Sequence, residues 1–159
     1  MNITSTTERT LIDVGDGNSA IRGFEIINFD GDNITLEGTT EDWEEANFRY
    51  GTTTLAPDAE FKALSAEIHD GATLNAQDRS RFTGIDLINN GTLNIGSSPG
   101  TFRMIVGNFT QGATGVLPIE YDGNTGQGDV LHVNSGTETL GGTLDINILN
   151  LHTTVTDFT

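Results

Sequence analysis

Apolar positions along this chain recur with two periods, one nested inside the other. The short period is two. In "TLDINIL", Leu144, Ile146 and Ile148 fall on one side while Asp145 and Asn147 fall on the other. Ile85 and Leu87 flank Asp86, and Phe102, Met104 and Val106 alternate with Arg103 and Ile105. Alternation of this kind belongs to a strand with one buried face. Asp16-Gly17, Asp30-Gly31, Asp70-Gly71, Asn90-Gly91 and Asp122-Gly123 punctuate the runs, and such pairs close tight turns. The long period is 19: Thr35-Leu36, Thr54-Leu55, Thr73-Leu74 and Thr92-Leu93 follow one another at that interval.

A 19-residue unit is too short for a strand-helix-strand crossover and lacks the pattern of helical arrays. It fits one coil of a β-solenoid, in which a few short strands return the chain one strand spacing (~4.8 Å) along the axis. The expected interior column is Leu36, Leu55, Leu74 and Leu93, continued by Leu117, Leu140 and Leu144, with the threonines beside them facing outward. Thr10-Leu11 marks an earlier coil 25 residues before Leu36. Later coils lengthen, with 24 residues from Leu93 to Leu117 and 23 from Leu117 to Leu140. Turns absorb such insertions outside the core. An antiparallel sandwich would use similar strands but has no reason to keep a 19-residue register.

Two stretches interrupt the alternation with apolar residues at helical spacing. "EDWEEANF" has an acidic start, so residues 39–51 read as a loop or short helical insert. "PDAEFKALSAEIHDG" carries Phe61, Leu64, Ala66 and Ile68, yet lies between two Thr-Leu strands, and the register favours strand there. Residues 1–159 otherwise form a single solenoid domain. No apolar run approaches the ~18 residues of a membrane helix. "MNITSTTERT" has no signal-peptide character, so an exported chain would be a piece of a longer surface protein.

Charge narrows the partners. Seven basic residues (Lys62 and six Arg) against 23 acidic ones leave a net charge of -16, which repels nucleic acid and anionic membrane faces. The absence of Cys removes disulfides and thiolate metal sites. Oxygen-rich Gly turns suit a hard cation such as Ca²⁺, and the best placed are "DVGDGN" and "NFDGDN", with Asp13, Asp16, Asp30 and Asp32 as ligands. "DGNTGQGD", with Asp122 and Asp129, is a third. None follows a known calcium-loop pattern, and Asp-Gly is also ordinary turn chemistry; no other cofactor is implied. Trp43, Phe48 and Tyr50, grouped on the acidic insert, form a candidate aromatic contact patch, the alternative being that Trp43 folds back onto the solenoid. His69, His132 and His152 share no metal-ligand spacing, and no nucleophile-elbow motif is present, so catalytic residues are not expected. Arg79 and Arg81, beside Asp78, are the one close basic pair.

The second half resembles a known family. Ser98-Pro99-Gly100, Gly107 to Gln111, Asp129 to Val133 and Gly136 to Leu144 follow the order of turns and strands found towards the end of autotransporter passenger domains and related bacterial surface adhesins. The likeness covers about fifty residues, and "AIRGFEIINFDGDNITLEG" is similar to coils of the same proteins. It implies a right-handed parallel β-helix, an extracellular or cell-surface location and a stalk-like or adhesive role. The expectation is therefore a non-enzymatic structural or adhesive segment, docking through its solenoid ends on copies of itself or on the rest of a longer chain, and presenting loops to a glycan or protein. The alternative is a polysaccharide-acting β-helix, a lyase or a tailspike-like depolymerase.

Overall fold

A computed structural model describes residues 2–5, 10–13, 25–40, 42–96, 100–105, 107–134 and 136–150. The described residues contain no helix. Seventeen strands follow in chain order: β1 (Asn2–Ser5), β2 (Thr10–Asp13), β3 (Ile26–Gly31), β4 (Ile34–Glu37), β5 (Trp43–Leu55), β6 (Glu60–Ile68), β7 (Ala72–Ala76), β8 (Arg81–Thr83), β9 (Asp86–Asn89), β10 (Thr92–Ile95), β11 (Thr101–Ile105), β12 (Asn108–Gln111), β13 (Val116–Asp122), β14 (Gln127–Gly128), β15 (Val130–Val133), β16 (Glu138–Leu140) and β17 (Thr143–Leu149).

The strands stack as the parallel coils of a β-solenoid. Sheet A runs β1, β3, the first part of β5, the end of β6, β9, β12 and β16. Sheet B runs β2, β4, the end of β5, β7, β10, β13 and β17. Sheet C runs from the start of β6 through β8 and β11 to β15. A bridge from Thr39 to Glu60 reaches back one coil further. Among the described strands only β13 and β14 pair antiparallel, in a hairpin that leaves the stack.

Alternation decides which side chains enter. On β7, Ala72, Leu74 and Ala76 are buried while Thr73 and Asn75 are partly exposed. The column of leucines is real but differs in detail from the expectation. Leu36 lies opposite Leu55, and Leu74 opposite Leu93, each 19 residues on. Between them, however, Thr53 meets Leu74 and Leu55 meets Ala76, a step of 21. Two neighbouring columns result. One runs Ile34, Thr53, Leu74, Leu93, and the other Leu36, Leu55, Ala76, Ile95. A slip of two keeps every side chain on its own face, so periodicity alone does not reveal it. The earliest coil likewise sets Leu11 opposite Thr35 and Ile12 opposite Leu36. At the far end Leu117 lies opposite Leu144, while Leu140 lies opposite Gln111 on sheet A.

The expected insert at residues 39–51 is corrected: most of it is strand β5. Trp43, Ala46 and Phe48 are all buried, and Glu44 and Glu45 both face out. β6 repeats this pattern one coil on, with Ala63, Ala66 and Ile68 inside and Leu64 half exposed. Two consecutive outward residues mark the corner between sheets, and they stretch the apolar spacing from two to three. A solenoid corner thereby imitates helical spacing.

Aromatic rings fill the interior of these coils. Phe29 stacks on Phe48 at 5.0 Å and 13°, Trp43 meets Phe61 edge-on at 5.3 Å, and Phe82 lies 6.1 Å beyond Phe61. These are the offset and edge geometries that aromatic pairs favour. The turn from sheet A to sheet B admits no side chain at Gly51, where φ is +76° and an added Cβ would stand 2.3 Å from the backbone of Gly31. Two amides are buried at the same corner. Asn89 donates to the Val116 carbonyl at 3.1 Å, and Gln111 donates to those of Gly141 and Thr143 at 2.8 and 2.9 Å. Each thereby ties its corner to the backbone of the next coil.

Leu140 and Leu144 do not join the buried core. They are 70% and 57% exposed because no described coil lies over them. Chemical denaturation should therefore separate interior from end. Phe61→Ala or Leu93→Ala is expected to cost about 2–5 kcal/mol, whereas Leu140→Ala should change stability by no more than about 0.5 kcal/mol. Equal costs would contradict the placement.

Candidate functional site

Polar and charged side chains outside the stack are tied chiefly to the coil above or below. Asn28 donates to Asn2 at 2.8 Å, Asn47 to Asn28 at 3.1 Å, and His69 Nε2 lies 3.3 Å from the Asn47 amide oxygen. Asn94 on Asn75, Asn90 on Glu67, Asn108 on Asp86 and Thr83 on Glu60 repeat the motif. Parallel in-register strands set equivalent side chains about 4.8 Å apart, within bonding reach for amides. Asn28 sits mid-strand in the ladder, Asn89 points inward and Asn90 flanks a turn.

The charged pairs follow the same logic. Arg49 engages Asp30, its Nε donating to Oδ1 at 2.6 Å and Nη2 to Oδ2, with the carboxylate almost wholly buried. Arg49 follows Asp30 by 19 residues, and Asn47 follows Asn28 by 19, so the spacing of the leucines also pointed to these contacts. Arg79 grips Asp58 through two bonds of 2.7 and 2.8 Å and reaches Asp78 at 3.1 Å. Arg81 lies 3.7 Å from Glu60. The bond from Asp58 raises the Arg79 pKa, and the same bond in turn holds the Asp58 carboxyl below its ordinary value. Asp122 is also lowered, chiefly by the backbone N–H of Asn124.

Of the proposed cation ligands, the two whose side chains are described, Asp30 and Asp32, do not share a site with a third His, Asp or Glu. Both Asp30 oxygens belong to Arg49. Asp32 is exposed in the next turn, while the Asp13 side chain and the whole of Asp16 lie outside the described residues. In the third loop Asp129 accepts from the Gly100 and Glu120 N–H groups at 2.6 and 2.7 Å, which staples the hairpin to the stack. Among the described residues no three His, Asp or Glu side chains converge as a metal would require.

The aromatic patch is likewise corrected. Trp43 and Phe48 are each 1% exposed, inside the solenoid, and only Tyr50 stands on the surface. Their burial follows from β5 being strand, which turns both rings onto Phe29 and Phe61. A cleft of about 350 Å³ lies between β11 and the β14–β15 segment, lined by Gly100, Thr101, Gln127, Gly128 and Val130, none of them titratable.

On sheet C the outward positions Glu60, Arg81, Arg103 and His132 stand in successive coils. Arg103 is exposed with no ion pair among the described residues, and it is the cationic end of the column not spent on a carboxylate. No protein-family model, curated protein or solved structure matches the chain. What fold and surface define together is a class: an acidic, all-β parallel solenoid with its polar groups laddered along the axis.

The lowered carboxylates set a pH dependence. A group whose folded pKa lies below its unfolded value near 3.9 contributes fully above that value, and the contribution disappears as pH falls through the folded pKa. Acidification also relieves the self-repulsion of a -16 chain, so a variant is needed to isolate the effect. The melting-temperature gap between the parent and Asp58→Asn should be constant from pH 7 to 5 and close below about pH 4. A gap that widens in acid would contradict the Arg79–Asp58 assignment. Because Asp30 is committed to Arg49, a chelator should leave the melting temperature unchanged, while Arg49→Ala should lower it more than Arg103→Ala does. A chelator-induced drop would establish a cation site elsewhere.

Proposed function

We propose that this chain is a non-enzymatic structural segment, a rigid β-solenoid of an extracellular or bacterial cell-surface stalk, filament or adhesin. One observation carries the reading. The side chains with chemical capacity, Asp30 with Arg49, Asp58 with Arg79, Glu60 with Arg81 and Asn47 with His69, are spent on joining one coil to the next. A catalytic centre needs such groups converging on a shared space with their lone pairs and protons free for substrate. Here they diverge over the outside of a filled cylinder.

The physical properties suit the role. Hydrogen bonds running along the axis resist extension of the stack, and each coil shields the backbone of its neighbours from proteases. The acidic surface keeps such a repetitive object soluble. The order of turns and strands from Ser98 to Leu144, which resembles autotransporter passengers, supports the cell-surface setting and the adhesive role. Coils at either end are natural docking points for another copy or for the rest of a longer chain.

A second reading is favoured by one feature, the stacked Arg81 and Arg103 on sheet C. Two cations about one strand spacing apart suit a linear polyanion, and a β-helix of that kind would act on acidic polysaccharide. Incubation with a panel of uronate and sulfated polysaccharides discriminates. The structural reading expects no unsaturated or shortened product. Product formation that Arg81→Ala or Arg103→Ala abolishes would overturn it in favour of the glycan-acting enzyme.

A further inference from the structure

Successive coils cross the corner between sheets A and B with different lengths of chain. Register sets Phe48, Ile68 and Asn89 in line before the corner, and Thr52, Thr73 and Thr92 in line after it. Between these marks the chain advances four residues in the first coil, five in the second and three in the third. The longest crossing carries its surplus in the turn 69–72, closed by the Ala72 N–H donating to the His69 carbonyl at 2.9 Å. Gly71 takes φ +81° at the third position of that turn, the type II geometry that favours glycine. Asp70 and Gly71 are both exposed, and a Cβ added at Gly71 would meet nothing within 4 Å. Among the described residues neither the Asp70 carboxylate nor the Gly71 N–H has a hydrogen-bond or ion-pair partner.

An aspartate followed by glycine is a step at which a backbone can rearrange, because glycine has no side chain to obstruct its nitrogen. That nitrogen attacks Cγ of the protonated carboxyl. The new N–Cγ bond closes a five-membered succinimide, the Cγ–O bond breaks, and the amide hydrogen leaves with the hydroxyl as water. Water then opens the ring at either carbonyl. Opening at the original backbone carbonyl yields isoaspartate, whose main chain runs through Cβ and Cγ. Asparagine follows the same course with ammonia as the leaving group. The reaction needs an accessible Cγ, an unbonded N–H and freedom to rotate the peptide between them.

Four such steps lie among the described residues, and three are locked. Asp30, before Gly31, is buried with both oxygens held by Arg49. At Asn90-Gly91 the side chain donates to Glu67 at 2.8 Å and the Gly91 N–H donates to the Ile68 carbonyl at 2.9 Å. A Cβ added at Gly91 would stand 2.3 Å from the His69 carbonyl oxygen, so this glycine is also packed in place. At Asp122-Gly123 the carboxylate accepts the Asn124 N–H at 2.8 Å, and the Gly123 N–H donates to the Leu149 carbonyl at 2.9 Å. Asp16-Gly17 lies outside the described residues. We propose that Asp70-Gly71 is a covalent modification site of the folded protein, converting to isoaspartate through a succinimide ahead of the other three described steps.

The stack tolerates the product there. Isoaspartate lengthens the main chain by one methylene, and the open space around Gly71 takes it up outside the core. At Gly91 the same insertion would press on the preceding coil, where the His69 carbonyl already stands in the way.

Prolonged incubation of the full chain in neutral buffer, followed by tryptic mapping, tests the site. Cleavage after Lys and Arg puts the four steps in separate peptides, 23–49, 63–79, 82–103 and 104–159. Peptide 63–79 should split into two forms of equal mass, the new one resisting an endoproteinase that cuts at aspartate. The other three should stay single over the same time. Asp70→Asn sets asparagine-glycine chemistry at two places in one molecule. In the folded protein the introduced amide should be lost several-fold faster than that of Asn90, and in urea the two rates should converge. Asp70→Glu, which cannot close a five-membered ring, should keep peptide 63–79 single. Circular dichroism of each variant should match the parent. A 63–79 peptide that stays single in the parent, or an Asn90 amide lost in the folded protein as fast as the one introduced at position 70, overturns the proposal.

Discussion

The rest of the structure depends on the parallel, in-register pairing of one coil with the next. Hydrogen bonds between coils run along the axis, so the backbone is satisfied only when the next coil is present. The same pairing brings each inward side chain within about 4.8 Å of its counterpart. Volume must then be balanced coil by coil. Leu55 gives way to Ala76 in one column while Thr53 gives way to Leu74 in the next, and the combined bulk is roughly conserved. Where Phe29, Phe48, Phe61 and Phe82 crowd the centre, Ala46, Ala63 and Ala66 line the wall beside them. The interior is a series of compensations between adjacent columns rather than a repeat of one residue.

Pairing also organises the exterior. A residue facing water on one coil has its counterpart on the next coil as its nearest polar neighbour, which is why Asn28 finds Asn47 and Asp30 finds Arg49. Two paired backbones fix the spacing at which these side chains meet, while the long arginine side chains still lose rotamer freedom on forming the pairs. The few cations in the described chain are mostly used this way, leaving the surface acidic and the two ends as the places where pairing stops.

Much of this was legible in the sequence because the two relevant periods are visible there. Alternation identifies the strands, and the 19-residue recurrence identifies the coil. What it could not give is the register of coils whose length differs by an even number. The step of 21 between Leu55 and Ala76 preserves faces and therefore leaves no mark on alternation. Corners are illegible for a related reason. Two outward residues in succession at Glu44-Glu45 make "EDWEEANF" look helical and made Trp43 look available for contact, although it is buried. A cation loop is hard to read from sequence because Asp in a turn is chosen equally for bonding backbone N–H groups, as Asp129 and Asp122 do, or for pairing with Arg, as Asp30 does. The partner, not the loop, decides the role.

Engineered disulfides probe the pairing most directly, because a protein without cysteine reports only the pair introduced. Thr54 lies opposite Asn75 on the outer face of sheet B, whereas an unbroken 19-residue register would set it opposite Thr73. Cysteines at adjacent positions of paired strands fall within the span a disulfide bridges, and a displacement of two residues along the strand does not. The double variant Thr54→Cys with Asn75→Cys should oxidise to a monomeric cross-linked species, and Thr54→Cys with Thr73→Cys should remain reduced under the same conditions. Cross-linking of the second pair and not the first, or of neither, would contradict the stacked register on which the account stands.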